Sequence, residues 1–150
     1  MNPNIARWCK SSIVKHFTTQ ISSPYLYVEG QDRSVLNGKS QYVELRIDGP
    51  VVKQPSKNHF TLNVEINCLI SLLGQGDNLY TIDDLIGKVA AAFTDNIPVY
   101  KYQTPGDYLG CFILDRDGIF SANFGTVDPD AKVTQASVEG HYKMILDSLE

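Results

Sequence analysis

The sequence has few of the features that support disulfide cross-linking, membrane insertion or a cysteine-based metal site. It contains three cysteines, which are far apart and form no CxxC pair. An odd number at such spacing argues against a disulfide framework and against a zinc site. No run approaches the roughly 20 apolar residues that a membrane span needs, and no apolar stretch precedes a small-residue cleavage site near the N-terminus. We therefore expect a protein without membrane contact that is made and kept in a cytoplasm.

Positive charge is also scarce. Thirteen basic residues stand against 17 acidic ones, the formal net charge is −4, and no basic run exceeds two residues. Tight binding to nucleic acid neutralises several phosphates at once, so this balance argues against it. The same balance suits a surface that nucleic acid passes without sticking. A length of 150 residues with 43% apolar residues predicts a single domain, residues 1–150.

The clearest positive feature is the stretch HFTLNVEINCLISLL, residues 59–73, in which apolar and mainly polar residues alternate. Side chains on a strand point alternately to opposite faces, so the stretch predicts one long strand with an apolar face and a mostly polar face. At roughly 3.3 Å per residue it would span about 50 Å. A compact domain of this size is only about 40 Å across. The strand is therefore expected to reach beyond its own globule.

The other periodic segments complete an α+β pattern. Apolar spacing predicts a helix over residues 3–21, and a second helix begins at a capping-box-like Thr81–Asp84 and ends near Asn96, before Pro98. We predict a mainly antiparallel sheet of about six strands with long hairpins, two helices packed on one face, and the order α-β-β-β-α-β-β-β. IFSANFG is a candidate for a further short strand. The predicted strands are residues 25–29, 42–52, 59–73, 99–102, 108–114 and 132–146.

Motifs for catalysis or cofactor binding are weak. LGQGDNLYTIDD lacks the lysine of a nucleotide-binding loop, and DRDG lacks the later ligands of a calcium loop. Nothing in the sequence brings a histidine to a cysteine, and Cys9 and Cys68 fall on apolar faces, where they are expected to act as buried small hydrophobes. We predict no catalytic residue, no metal site and no cofactor.

The polar face of the predicted sheet is the main candidate for a functional surface. It mixes charges of both signs with amides and hydroxyls, so it is either bare solvent-facing sheet or a surface that meets a neighbouring subunit. The hairpin-tip segment GPVVKQPSKN is either a contact to a neighbouring ring or an ordinary surface loop. The predicted interface residues are Glu44, Arg46, Lys53, Lys57, Asn63, Glu65, Asn67, Glu139, His141 and Lys143.

The order and size of these elements resemble the tail-terminator, or tail-completion, proteins of long-tailed double-stranded DNA bacteriophages. The resemblance lies in the N-terminal helix NIARWCKSSIVKHF, the long hairpin ending in HFTLNVEINCLISLL, the helix TIDDLIGKVAAAF and the closing strand VTQASVEGHYKMIL. It spans most of the chain but includes no diagnostic motif. It implies a non-enzymatic structural subunit in the virion tail or neck, forming a sixfold ring on the head-proximal end of the tail tube.

The resemblance also implies partners. These are tail-tube and head-joining neck proteins, with double-stranded DNA passing through a central channel without specific binding. A different class of function stays open beside it. The chain could be a small intracellular ligand-binding or enzyme domain with a pocket near His59, Cys68 or Tyr142.

Overall fold

Two helices and seven strands make up the part of the chain that the computed structural model describes, which is residues 2–21, 25–38, 40–73, 79–101, 107–115, 121–123 and 133–146. The predicted α+β class is therefore confirmed. A 3₁₀ turn at Arg33–Leu36 lies between the first two strands. In chain order the helices and strands are α1 (Ile5–Gln20), β1 (Tyr25–Val28), β2 (Gln41–Ser56), β3 (His59–Leu73), α2 (Leu79–Ala92), β4 (Asn96–Tyr100), β5 (Tyr108–Leu114), β6 (Ser121–Asn123) and β7 (Val133–Leu146).

The strands form one sheet in the order β1-β2-β3-β7-β5-β4, with β6 paired to another part of β7. All described pairings are antiparallel except that of β1 with β2, which is parallel. The sheet is therefore mainly antiparallel, as predicted, but mixed, and β6 is a seventh strand within the candidate segment IFSANFG. A parallel pair needs a connection of about a dozen residues, and residues 29–40 are long enough to provide it.

The apolar face of β3 forms the centre of the core. Leu62, Ile66, Cys68 and Ile70 are completely buried there, as the alternation predicts. Apolar side chains from both helices join the same cluster, including Ile13 of α1 and others from α2. Among the residues that the structure describes, neither helix has the length and hydropathy required to cross a membrane.

Hydrogen bonds tie the two helices to the edge of the sheet. The Ser12 hydroxyl of α1 accepts the backbone N–H of Tyr100 in β4 at 3.0 Å. His16 of α1 donates from Nε2 to the carbonyl of Ala92, at the end of α2, at 2.9 Å. The buried Tyr142 hydroxyl of β7 donates to the carbonyl of Thr94 at 2.8 Å. These bonds satisfy buried polar groups and fix α1 and the end of α2 against the sheet.

β3 lies inside the sheet along nearly all of its length. β7 pairs with it from Phe60, opposite Leu146, to Leu73, opposite Val133. The expected reach beyond the globule is therefore limited to the tip of the β2–β3 hairpin. Residues 53–59 at this tip are all exposed.

The hairpin tip is mostly strand, although the predicted strand ends at Val52 and GPVVKQPSKN, residues 49–58, predicts a solvated tip. β2 runs to Ser56 and pairs there with His59. Irregularities between Asp48 and Val51 and between Lys53 and Ser56 accommodate Pro50 and Pro55. Proline lacks an amide hydrogen, so strands accept it at bulges and at edges. Gly49 has a φ of +105°, and an added Cβ would lie 2.8 Å from the carbonyl oxygen of Asn63.

The boundary between α2 and β4 differs from its prediction. The helix ends at Ala92 rather than near Asn96, and β4 begins at Asn96 rather than at Val99. Pro98 lies within β4, where it pairs with Cys111 of β5. β4 is an edge strand, and an edge strand tolerates the missing amide hydrogen of proline. Pro98 is therefore part of a regular strand.

Two glycine substitutions test the packing of α2 on the sheet. An added Cβ at Gly140 of β7 would lie 2.7 Å from the Phe93 ring. We expect Gly140→Ala to lower the free energy of unfolding by about 1–3 kcal/mol, because the core would be overpacked. Gly87, in the exposed surface of α2, has no atom within 4 Å of its added Cβ. Gly87→Ala is the matched control and should raise stability by about 0.5–1 kcal/mol, measured by urea denaturation. Equal stability of the two variants would contradict this packing.

Candidate functional site: the open face of the sheet

The face of the sheet opposite the helices, which we call the open face, gathers most of the predicted interface residues. Cross-strand register places Asp48, Glu65 and His141 in one row across β2, β3 and β7. The next row contains Arg46, Asn67 and Glu139. The register thus brings together residues that lie far apart in the sequence. The predicted residues that share the open face are Arg46, Lys53, Asn63, Glu65, Asn67, Glu139, His141 and Lys143.

Glu44 is one of the predicted interface residues, but the structure buries its side chain. It points to the same face, but its side chain is only 7% exposed and lies within the chain's own structure. Arg46 binds it at 3.0 Å and Arg33 approaches it at 3.9 Å. Glu44 is therefore a structural group of the fold rather than a free surface charge. The alternating pattern of β2 could not show this, because the covering residues come from outside the strand.

The cover over Glu44 is the segment of residues 29–38. The Tyr27 hydroxyl of β1 donates to the carbonyl of Gln31 at 2.7 Å. The Arg33 guanidinium lies 5.7 Å from the centre of the Tyr27 ring, and Asp32 accepts the N–H of Ser34. Tyr27 is consequently 3% exposed although it does not face the helices. One end of the open face is thus closed by the chain itself.

The two predicted lysines of the hairpin lie apart from the centre of the open face. Lys53 is opposite Thr61 near the tip, and Lys57 lies in the turn between β2 and β3. Both side chains are exposed. They contribute positive charge at the projecting end of the hairpin, whereas the centre of the open face is rich in carboxylates.

The centre of the open face holds a compact group of three side chains, which we call the central cluster: Glu65, Glu139 and His141. His141 Nε2 lies 3.2 Å from Glu139 Oε1 and 3.8 Å from Glu65 Oε1. A hydrogen bond shared with Glu139 raises the pKa of Glu65, and the charge of Glu139 adds to this effect. The pKa of Glu139 is lowered, first by its bond to Glu65 and then by its bond to His141. Each of the two carboxyl groups therefore changes the pKa of the other.

A shallow cleft of about 270 Å³ adjoins the central cluster. Its lining includes Asp48, Glu65, Asp115 and His141. The backbone N–H of Asp115 donates to the carbonyl of His141 at 2.9 Å, which fixes the end of β5 beside β7. Three carboxylates and one imidazole thus converge on one small region of rigid sheet.

An apolar surface, which we call the apolar patch, lies next to this acidic region, and sequence reasoning missed it. It consists of Cys111 and Ile113 of β5 and Ile145 of β7, which line one depression of about 360 Å³. Ile113 is 58% exposed and Ile145 is 61% exposed. Both isoleucines occupy open-face positions of their strands. The sequence signal for the apolar patch is that apolar residues stand at positions where the alternation would place polar ones. A single exposed isoleucine is ordinary, but two neighbouring ones make a continuous exposed apolar area.

The cysteines and the alternative pocket residues do not form a common site. Cys9 and Cys68 are completely buried, as predicted, and this burial raises the pKa of Cys9 to about 12 and also raises the pKa of Cys68. Cys68 and Tyr142 face the core, whereas His59 is exposed at the hairpin tip. Nine positions of strand separate His59 from Cys68, or about 30 Å. The glycine-rich segment 74–78 and most of the DRDG turn lie outside the described residues.

Comparison with known proteins bears on the fold alone. No protein-family model and no curated protein sequence matches this chain. A solved protein structure that carries no functional description resembles it with a TM-score of 0.50 and 8% sequence identity. The likeness covers 92% of this chain and 94% of the other. The arrangement of helices and strands therefore occurs in another protein of nearly the same extent.

The structural role of Glu44 can be tested by removing its charge. We expect Glu44→Gln to lower the free energy of unfolding at pH 7 by about 1–3 kcal/mol, because Arg46 loses a charged hydrogen-bond acceptor and Arg33 loses a nearby opposite charge. Glu65→Gln is the matched control on the same face. It removes a like-charge contact with Glu139 from a partly exposed position, so stability should be unchanged or slightly higher. Urea denaturation of both variants decides the point, and an equal loss in the two would show that Glu44 has no special role.

Proposed function

We propose that this chain is a structural subunit of a long-tailed double-stranded DNA bacteriophage. In this proposal it is a tail-terminator or neck protein that assembles as a homohexameric ring. The ring sits at the head-proximal end of the tail tube, stops growth of the tube and joins the tail to the head. Its partners are the tail-tube protein and the head-joining proteins, and its location is the virion, after synthesis in the host cytoplasm. The subunit works by shape and surface complementarity and has no catalytic residue or cofactor.

The open face is the observation that carries this proposal. Protein interfaces combine an apolar centre with a polar rim. Here the apolar patch of Ile113 and Ile145 lies beside Lys143 and the central cluster on the same strands. β7 is held by a continuous antiparallel ladder with β3, and β5 joins it through the pairs Ile113–Lys143 and Leu114–Tyr142. Such a surface is ready to bind without prior folding, as a ring subunit requires.

The β2–β3 hairpin supplies a second surface for assembly. Its turn, with the exposed Lys57, lies beyond the last described pair of β3 with β7, and the exposed Lys53 lies one row inside that pair. In a stack of rings, a projecting hairpin is suited to contact the adjacent ring. Its positive charge contrasts with the acidic centre of the open face, so different partners can be distinguished by charge.

The overall charge agrees with a channel for DNA. The formal net charge is −4. Negative charge near a channel repels phosphates and lets DNA pass without binding. In the proposed ring, base or phosphate recognition is therefore absent, and the channel acts only by its diameter and its charge.

Assembly through the apolar patch makes a direct prediction. The purified protein should sediment as a hexamer at high concentration and appear as rings by negative-stain electron microscopy. Ile145→Asp should shift the mass towards that of the monomer, because it places a charge in the apolar centre of the interface. Ile145 is 61% exposed within the subunit, so its replacement should not affect folding.

Val35→Asp is the matched control, since Val35 is an exposed apolar residue on the segment that covers Glu44. This variant should assemble as the parent protein does. Equal assembly of Ile145→Asp and the parent would exclude the apolar patch from the interface. A parent protein that stays monomeric alone and also in the presence of tail tubes would contradict the ring itself.

A further inference from the structure

The central cluster has the composition of a metal site with mixed nitrogen and oxygen ligands. It offers one imidazole nitrogen from His141 and one carboxylate oxygen each from Glu65 and Glu139, and all three atoms lie within 4.8 Å of one another. Imidazole and carboxylate together suit divalent transition metals such as Zn²⁺. Among the described residues, these three side chains form the group of histidine and acidic residues whose ligand atoms lie this close together.

The distances within the cluster fit a shared ion. Zinc binds nitrogen and oxygen ligands at about 2.0–2.2 Å, so two ligands of a tetrahedral site lie about 3.3 Å apart. The observed separations from His141 Nε2 are 3.2 Å to Glu139 and 3.8 Å to Glu65. Only small rotations of partly exposed side chains are needed to close the second distance. The strands themselves need not move.

The backbone holds the three ligands in place. Glu139 and His141 lie two residues apart on β7 and point to the same face. Glu65 is directly opposite His141 on β3, within an uninterrupted ladder. Sites on paired strands are more precise than sites on loops, because the positions of the side chains are set by the ladder.

The charge around the cluster also favours a cation. Asp48 is the cross-strand neighbour of Glu65, and its negative charge acts on that carboxyl. Asp115 and Lys143 line the adjoining cleft, so the surroundings of the cluster hold two further carboxylates and one lysine. Among the described residues, His141 is the basic side chain within 4 Å of Glu65 or Glu139, whereas Arg46 is bound to Glu44. A divalent ion would offset the excess negative charge that these carboxylates bring to one place.

We propose that Glu65, Glu139 and His141 bind one divalent transition-metal ion on the open face. Three protein ligands leave the fourth position of a tetrahedral site for water. The proposal does not rest on the ring function, because the ligands all come from one chain. A bound ion would link β3 to β7 at the centre of the open face and so stabilise the surface that the ring would use.

Zinc binding to the purified, metal-free protein tests the proposal. Isothermal titration with Zn²⁺ should show one ion per chain, and Zn²⁺ should raise the melting temperature, since it binds the folded state. His141→Ala and Glu139→Gln should each weaken the affinity about tenfold or more and remove the thermal shift. The control is His59→Ala, which removes an exposed histidine at the hairpin tip and should leave both signals unchanged.

Two results would overturn the proposal. One is a parent protein that shows no saturable Zn²⁺ binding. The other is binding that survives in both His141→Ala and Glu139→Gln, which would place the ion elsewhere. Circular dichroism of each variant establishes that it is folded, and two variants at different ligands keep the test decisive if one of them is not. Failure of ring assembly with intact zinc binding would contradict the proposed function and leave the metal site standing.

Discussion

Pairing of β3 with β7 along the whole of both strands is the constraint on which the rest of the structure depends. Because side chains alternate along a strand, this ladder fixes which residues face the helices and which face outwards. A shift of β7 by one residue would place Glu139 and His141 in the core and expose Val138 and Tyr142. The burial of Leu62, Ile66 and Cys68 by both helices therefore selects a single register. The open face is a consequence of that selection.

The residues of the open face act differently although they share one surface. At one end, residues 29–38 cover Tyr27 and Glu44, and the arginines offset the buried charge. In the centre, the carboxylates of Glu65 and Glu139 remain accessible and close together. At the other end, the apolar patch remains uncovered by the described residues. The two ends of the face therefore differ, since one is covered by the chain and the other is apolar and uncovered. A proposed ring subunit needs such a difference in order to bind its neighbour in one orientation.

The sequence predicted those parts of the structure that local periodicity determines. The α+β class, the two helices and the full extent of the long strand followed from alternation and helical spacing, as did the outward direction of Glu65, Asn67, Glu139 and His141. The parallel pairing of β1 could not be predicted, because it depends on where residues 29–40 carry the chain. The burial of Glu44 has the same origin. Pro50 and Pro55 suggested a loop, but bulges accommodate them within β2.

If the chain assembles as proposed, the open face, and its apolar patch in particular, is buried between subunits. Hydroxyl-radical footprinting measures the solvent access of individual side chains and can be followed from dilute to concentrated protein. The account predicts that Ile113 and Ile145 become protected in step with the increase in mass, whereas Val35 stays equally reactive. Assembly into rings with Ile113 and Ile145 as reactive as in the dilute protein would contradict it.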